Sequence, residues 1–209
     1  MTEVWLVRHA STAWTGTRWC GRSDPPLTGA GEGDAAALAA RLAPMVGPGA
    51  IILSSPVQRA LATASAIADA RRMAGEPAVA VDDDLQEVDF GWVDGLTFDE
   101  VEARFPQLAV LLAAGETEID WPGGETAAAS RKRARRAWAT VAAMAERSTV
   151  VAVTHGGLIS RILRDRRAVT GGTGLHVAPA GAIRLVPAGR SWQVGDTLAA
   201  EPAGTSSSA

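Results

Sequence analysis

Val4-Trp5-Leu6-Val7-Arg8-His9 and Val150-Val151-Ala152-Val153-Thr154-His155 decide how this chain folds. Each is a short apolar run that ends on a histidine, and the first also carries an arginine. A run of this kind, apolar on both faces, reads as a strand buried inside a parallel sheet. Packing gives little reason to place Arg or His where a buried strand opens into a loop. Two such ends, far apart in sequence, point to one site built from two strand termini. In open α/β sheets ligands bind beyond the carboxyl ends of the strands, which is where Arg8, His9 and His155 fall.

Working outward, His9 to Pro26 reads as a long polar loop, and Thr28 to Leu42 as an Ala-rich helix. Ala50–Leu53 is a second strand. Ser55-Pro56 resembles a helix start, with Ser as N-cap and Pro in the first turn, and that helix should run to about Ala74. It puts Arg59 near the same end of the sheet. Val79–Val81 is a third strand. Asp82 to Thr126 is irregular, with a helix over Asp99–Ala114. A long helix follows from Thr126 to Arg147, then the strand Thr149–Thr154 and a helix from Gly157 to about Arg164. Two C-terminal strands are expected near Leu175–Ala178 and Ala182–Val186, with Trp192 closing the last hairpin. Strands alternating with helices predict a three-layer α/β/α sandwich around a central, mostly parallel mixed sheet. The expected organisation is a single domain over residues 1–198, with a cap-like insertion at about 91–125 and a disordered tail over 199–209.

Composition sets bounds. The chain has 209 residues, 47% of them apolar and 21% charged, with a net charge of −3. That is an ordinary globular composition, and it argues against a nucleic-acid or anionic-membrane partner. The Arg131-Lys132-Arg133 run with Arg135-Arg136 reads as a solvated helix face. Cys20 is alone, so no internal disulfide or cysteine metal site is expected. The start Met1-Thr2-Glu3 carries no signal-peptide pattern, and no apolar run is long enough to span a bilayer. A cytoplasmic protein is expected, with homodimerisation left open.

Arg8 and Arg59 offer paired donors that match a phosphate or carboxylate. Helix N-termini near Arg59 and after His155 add backbone N–H groups. Cationic neighbours push a histidine toward its neutral, nucleophilic form. Attack of such a histidine on phosphorus gives a phosphohistidine, while a second histidine stabilises the equatorial oxygens. The leaving oxygen needs an acid, and Glu87, just ahead of Phe90-Gly91, is the best placed by pattern. Asp89 is its rival, and Asp82–Asp84 read as solvated turn residues. Trp14, Trp19, Trp92 and Trp121 either pack under the site loops or wall the leaving group. His176 lacks such context and reads as structural or superficial.

The stretch Leu6-Val7-Arg8-His9-Ala10-Ser11-Thr12-Ala13-Trp14 resembles the arginine-histidine-glycine signature of the histidine phosphatase superfamily, the phosphoglycerate mutase-like family. Gly21-Arg22-Ser23-Asp24-Pro25-Pro26-Leu27-Thr28, Ser55-Pro56-Val57-Gln58-Arg59-Ala60, Leu85-Gln86-Glu87-Val88-Asp89-Phe90-Gly91, Pro122-Gly123-Gly124-Glu125-Thr126 and Val153-Thr154-His155-Gly156-Gly157 match further blocks in order. The resemblance implies that His9 is phosphorylated and that Arg8, Arg59 and His155 line the phosphate pocket. It implies that Glu87 donates the proton and that Thr12 and the Gly156 backbone add hydrogen bonds. No metal and no cofactor is implied. Ala10 stands where the family has glycine. Thr15 stands where many members have a phosphate-binding asparagine, a part that Thr15, Arg18 or Arg22 could take.

The expected activity is that of a phosphomonoester hydrolase of the histidine acid phosphatase type. Its substrate would be a small-molecule phosphate: a sugar, α-ribazole or biosynthetic-pathway phosphate. The alternatives are a cofactor-dependent phosphoglycerate mutase and an inactive phosphate-binding relative. A mutase needs extra cations for the carboxylate, and Gly91–Asp120 contains only Arg104. An apolar, Trp-bearing insertion with Glu116, Glu118 and Asp120 argues against a large polyanionic leaving group.

Overall fold

The computed structural model describes residues 2–47, 49–71, 79–165 and 167–199. Among these residues seven strands form one sheet in the order β3-β2-β4-β1-β6-β7-β5. They are β1 (Val4–Arg8), β2 (Ile51–Ser54), β3 (Val79–Val81), β4 (Val150–Thr154), β5 (Val169–Thr170), β6 (Ala182–Ala188) and β7 (Ser191–Leu198). β3, β2, β4 and β1 run parallel to one another. Only β6 runs against its neighbours β1 and β7, and β5 pairs parallel with β7. The mixed, mostly parallel sheet inferred from the strand pattern is therefore the one observed.

Alternation along the central strands explains the three layers. Val4, Leu6, Val150 and Ala152 join one core, beneath α5 (Ala127–Ala145) and α6 (Gly156–Arg164). Trp5, Val7, Val151 and Val153 join the opposite core, beneath α1 (Gly29–Leu42) and α2 (Gln58–Ala70). Fully burying a side chain such as Leu6 contributes about 1.5–3 kcal/mol. Truncating it to Ala should cost about 2–5 kcal/mol, because a cavity remains. A third, smaller cluster of Val88, Phe90, Val93, Val101, Leu108, Ile119 and Trp121 lies outside these layers. Among the described residues no helix is long and apolar enough to cross a membrane.

Pairing of β1 with β4 matches Arg8 to Thr154, and the His9 amide donates to the Thr154 carbonyl at 2.9 Å. Register alone thus brings His9 and His155 together at the carboxyl ends of two central strands.

Several elements differ from the sequence expectation. α2 begins at Gln58, and Ser55 does not cap it. The Asp24 carboxylate does, accepting from the Gln58 amide at 2.6 Å and the Arg59 amide at 3.5 Å. The expected end of that helix, Ala74, lies outside the described residues. The single helix over Asp99–Ala114 is two, α3 (Phe98–Arg104) and α4 (Pro106–Ala113). Pro106 lacks an N–H and drives Phe105 out of helical geometry, while Thr97 and Glu100 form a capping box that starts α3. Leu175–Ala178 is not a strand, whereas Val169–Thr170 and Ser191–Leu198 are. Trp192 does sit in the last hairpin. The expected tail lies outside the described residues beyond Ala199.

Candidate active site

His9 directly follows β1 with only 7% of its surface exposed, and its Nδ1 lies 2.7 Å from the Ala10 carbonyl oxygen. A carbonyl can only accept, so Nδ1 carries the proton and Nε2 keeps a free lone pair. Burial, then the charges of Arg59 and Arg8, push the His9 pKa down to about 3. Near neutral pH the imidazole is uncharged and the Nε2 lone pair is free.

His155 is the N-cap of α6 and fully buried, its ring centroid 5.0 Å from that of His9. Arg59 Nη2 lies 3.4 Å from His155 Nδ1, and Ser55 Oγ lies 2.9 Å from Nε2. A guanidinium only donates, so Nδ1 accepts, and Nε2 donates to Ser55. Burial, then His9 and Arg59, hold the His155 pKa well below the usual imidazole range.

Arg59 is completely buried in the first turn of α2. Its Nη1 donates to the Ser23 carbonyl at 2.6 Å and the Asp24 carboxylate at 3.3 Å, and Nη2 donates to the Gly21 carbonyl at 2.9 Å. The loop after β1 is thereby tied to the guanidinium. The Ala10 amide donates to Thr63 Oγ1 at 3.0 Å, and Thr63 donates on to the Arg59 carbonyl at 2.9 Å. Arg8 Nη1 bonds the Val177 carbonyl at 3.1 Å and lies 3.3 Å from His176 Nε2. Burial lowers the Arg8 pKa, and Glu87 opposes this. The buried Nε groups of Arg8 and Arg59 have no acceptor among the described residues. Leaving a buried donor unpaired costs about 1–3 kcal/mol, more where the group is charged.

Glu87 is buried at the cleft, accepting from the Val88 amide at 2.8 Å and the Gly157 amide at 2.9 Å. Its rival Asp89 instead accepts from the Gly91 amide at 2.9 Å and faces Arg22 at 3.8 Å. Glu87 lines the cleft and Asp89 does not.

The cleft encloses about 370 Å³ and opens over Arg8, His9 and Glu87. Thr12, Thr15, Gly156 and Gly157 line it. Thr15 Oγ1 accepts from the Thr12 amide at 2.9 Å, so this hydroxyl shapes the loop. Arg22 lies outside the lining, beside Asp89. Ala10 is buried in the core and has no left-handed backbone, which explains why a Cβ fits there. Of the tryptophans, Trp14, Trp19 and Trp121 line the cleft, whereas Trp92 is 70% exposed. Trp19 and Trp121 also pack on each other and on Phe90, with centroids 4.5–5.2 Å apart. They are at once packing and wall.

Sequence reasoning missed several participants. Ser55 orients His155, and Asp24 caps α2. His176, expected to be structural or superficial, lines the cleft beside Arg8. Arg161 also lines it, as does Arg18, one of the residues that sequence offered for the part of the missing asparagine. Arg133, read as part of a solvated charge run, is buried. It forms a fork with Glu125 at 2.8 and 2.7 Å and donates to the Asp84, Gln86 and Glu87 carbonyls at 2.6–3.1 Å. The signal for Arg133 was its helical phase with Ala134, Ala137, Trp138 and Val141, all buried. Among the described residues no group of three or more His, Cys, Asp or Glu could hold a metal ion.

Comparison with known proteins fits this geometry. The model of the histidine phosphatase superfamily (branch 1) matches residues 4–197. A bifunctional protein of Mycobacterium tuberculosis, Rv2228c, is 38% identical over 164 residues, or 78% of this chain and 43% of that protein. The chain thus spans under half the length of that relative. A metal-independent phosphoserine phosphatase of Arabidopsis thaliana is 31% identical over 181 residues, covering 85% of this chain and 74% of its own. Among solved structures, the mycobacterial glucosyl-3-phosphoglycerate phosphatase Rv2419c in complex with VO3 superposes with a TM-score of 0.79 at 25% identity. That superposition covers 95% of this chain and all of the other. Paired strand-end histidines, converging arginines and a family match over nearly the whole chain lead to one assignment: the protein belongs to branch 1 of the histidine phosphatase superfamily.

Proposed function

We propose that the chain is a phosphomonoester hydrolase that works through a phosphohistidine on His9 and acts on a small-molecule phosphate. The observation that carries this reading is the neutral, half-engaged imidazole of His9 in the field of Arg59 and Arg8, whose buried Nε donors lack acceptors among the described residues. A bound phosphate accepts from Arg8 and Arg59 and from the Gly156 amide that opens α6; His155 joins them by turning its Nε2–H from Ser55 to the phosphate. His9 Nε2 attacks phosphorus as the bond to the leaving oxygen breaks, with the developing charge spread over oxygens held by these donors. Glu87 gives its proton to the leaving oxygen. The resulting carboxylate then takes a proton from water as that water attacks phosphorus and the phosphorus–nitrogen bond breaks, returning its electron pair to His9 Nε2. Phosphate leaves, and both His9 and Glu87 return to their starting states.

Relatives named as phosphoserine phosphatases favour hydrolysis. Gly91–Asp120 offers one basic residue, Arg104, which lines a different depression from the catalytic cleft. This supports hydrolysis over phosphoglycerate interconversion. The test is turnover of a phosphate-ester panel, including phosphoserine and 4-nitrophenyl phosphate, with chelator present. A parallel assay offers 3-phosphoglycerate with 2,3-bisphosphoglycerate. Phosphate release without appreciable mutase activity is expected, and robust interconversion overturns the reading.

A further inference from the structure

A second cavity of about 350 Å³ lies beside the cleft, between α5, α6 and the segment after α4. Arg131 and Arg135 enter it from α5, Arg161 and Arg164 from α6, and Arg167 from just beyond α6. Against these five cations stand the acids Glu118 and Asp165. Arg131 pairs with Glu118, and Arg135 with Asp165 at 2.9 Å.

Arg161 and Arg164 bond neutral oxygens instead. Arg161 donates to Ser130 Oγ at 2.9 Å and the Gly157 carbonyl at 3.2 Å. Arg164 donates to Ser160 Oγ at 3.1 Å and Thr117 Oγ1 at 2.5 Å. Burial lowers the Arg161 pKa against the opposing pull of Glu87 and Glu125, and its charge sits in a partly desolvated place without a carboxylate at ion-pair distance among the described residues. A cation held this way is costly unless an anion joins it. The Arg131–Glu118 pair is about half exposed, so it is weak enough to exchange with a ligand. The floor is apolar, formed by Ala134, Trp138, Ile162 and Ala168. An apolar floor under a few convergent polar groups is the usual make-up of a small-molecule site.

Thr117, Ser160 and Arg161 line both this cavity and the catalytic cleft. α6 runs between them, with Gly156 at the catalytic end and Arg164 eight residues on. At about 1.5 Å per residue, that is about 12 Å along the helix axis.

We propose that the two cavities form one substrate groove, in which the distal arginines take a second anionic group, carboxylate or phosphate, at the far end of an extended, partly apolar leaving group. This rests on the reading that the catalytic end takes the phosphomonoester. It also changes the substrate class inferred from sequence: the wall after α4 is apolar and acidic, but the opposite wall, α5 and α6, is cationic.

The test uses non-hydrolysable alkyl phosphonates of six to ten carbons that end in a carboxylate, a phosphonate or a neutral methyl ester. Binding to the whole protein is measured by calorimetry, and the ratio of acid to ester affinity is read within each variant. Wild type should prefer the doubly anionic ligands by at least about tenfold. Arg164→Gln and Arg135→Gln should each lower that ratio by severalfold. Equal affinities for acid and ester, no binding by either, or a ratio unchanged in both variants overturns the proposal. So does binding of a simple alkyl carboxylate that fails to compete with the phosphonates, which would make the cavity a separate effector site. Phosphorylation of His9 by 4-nitrophenyl phosphate is read separately. If labelling fails while the acid preference holds, the catalytic reading fails and the groove stands; the converse result rejects the groove alone.

Discussion

The Gly157 amide donates to Glu87 Oε2 at 2.9 Å, and a Cβ on Gly157 would sit 2.4 Å from Glu87 Oε1. The α6 backbone therefore positions the acid, and only glycine lets it come so close. Gly157→Ala should displace the carboxyl while the fold survives. A shift of about 1 Å in a catalytic group costs roughly 10²-fold, so kcat on 4-nitrophenyl phosphate should fall by about that factor. A kcat within twofold of wild type would remove Glu87 from the chemistry.

The histidines set a pH signature. An unfolded imidazole takes a proton near about pH 6.5, whereas His9 in the fold does so only near 3. Between these values the unfolded state binds a proton that the native state refuses, so stability falls as pH drops from about 6.5 toward 3. The loss should reach on the order of a few kcal/mol, and His155 adds in the same direction. Urea midpoints at pH 7.5 and 4.5 should show the drop, and His9→Gln should make it shallower. An equally steep drop in that variant would contradict a buried neutral His9.

Arg133 should be a stability residue that also affects activity. Its fork to Glu125 and its bonds to three carbonyls hold the irregular segment that carries Glu87. Removing one partner of a buried pair costs about 3–5 kcal/mol. Arg133→Met should lower the thermal midpoint sharply, and kcat should fall in whatever fraction stays folded. A shift no larger than that of Lys132→Met would contradict this.

Much of the site was legible because strand ends are simple. Arg8, His9 and His155 follow apolar runs, and parallel pairing of β1 with β4 does the rest. What sequence hid depends on contacts across the chain. Ser55-Pro56 looks like a cap, yet Ser55 is taken by His155, and Asp24, 34 residues upstream of Gln58, caps the helix. Arg133 hid inside a charge run because its neighbours on the exposed face have the same chemistry. His176 carries no local pattern, and reaches Arg8 only because the chain crosses back before β6.

Cys20 lines the cleft but should be chemically quiet. Burial pushes its pKa up to about 11, with Asp94, Glu87 and Asp24 also raising it against the opposing effect of Arg59. At pH 7.5 almost none is thiolate, the reactive form. Iodoacetamide should leave activity intact over an hour. Rapid inactivation matched by alkylation of Cys20 would contradict that environment.

The central claim is the phosphorylated histidine. Rapid-quench intact-mass spectrometry under non-acidic conditions, with 4-nitrophenyl phosphate and chelator, tests it most directly. Wild type should gain one phosphoryl group that acid removes, located on His9 by fragmentation, and His9→Ala should gain none. Turnover by wild type without any labelled intermediate, or equal labelling of His9→Ala, would contradict it.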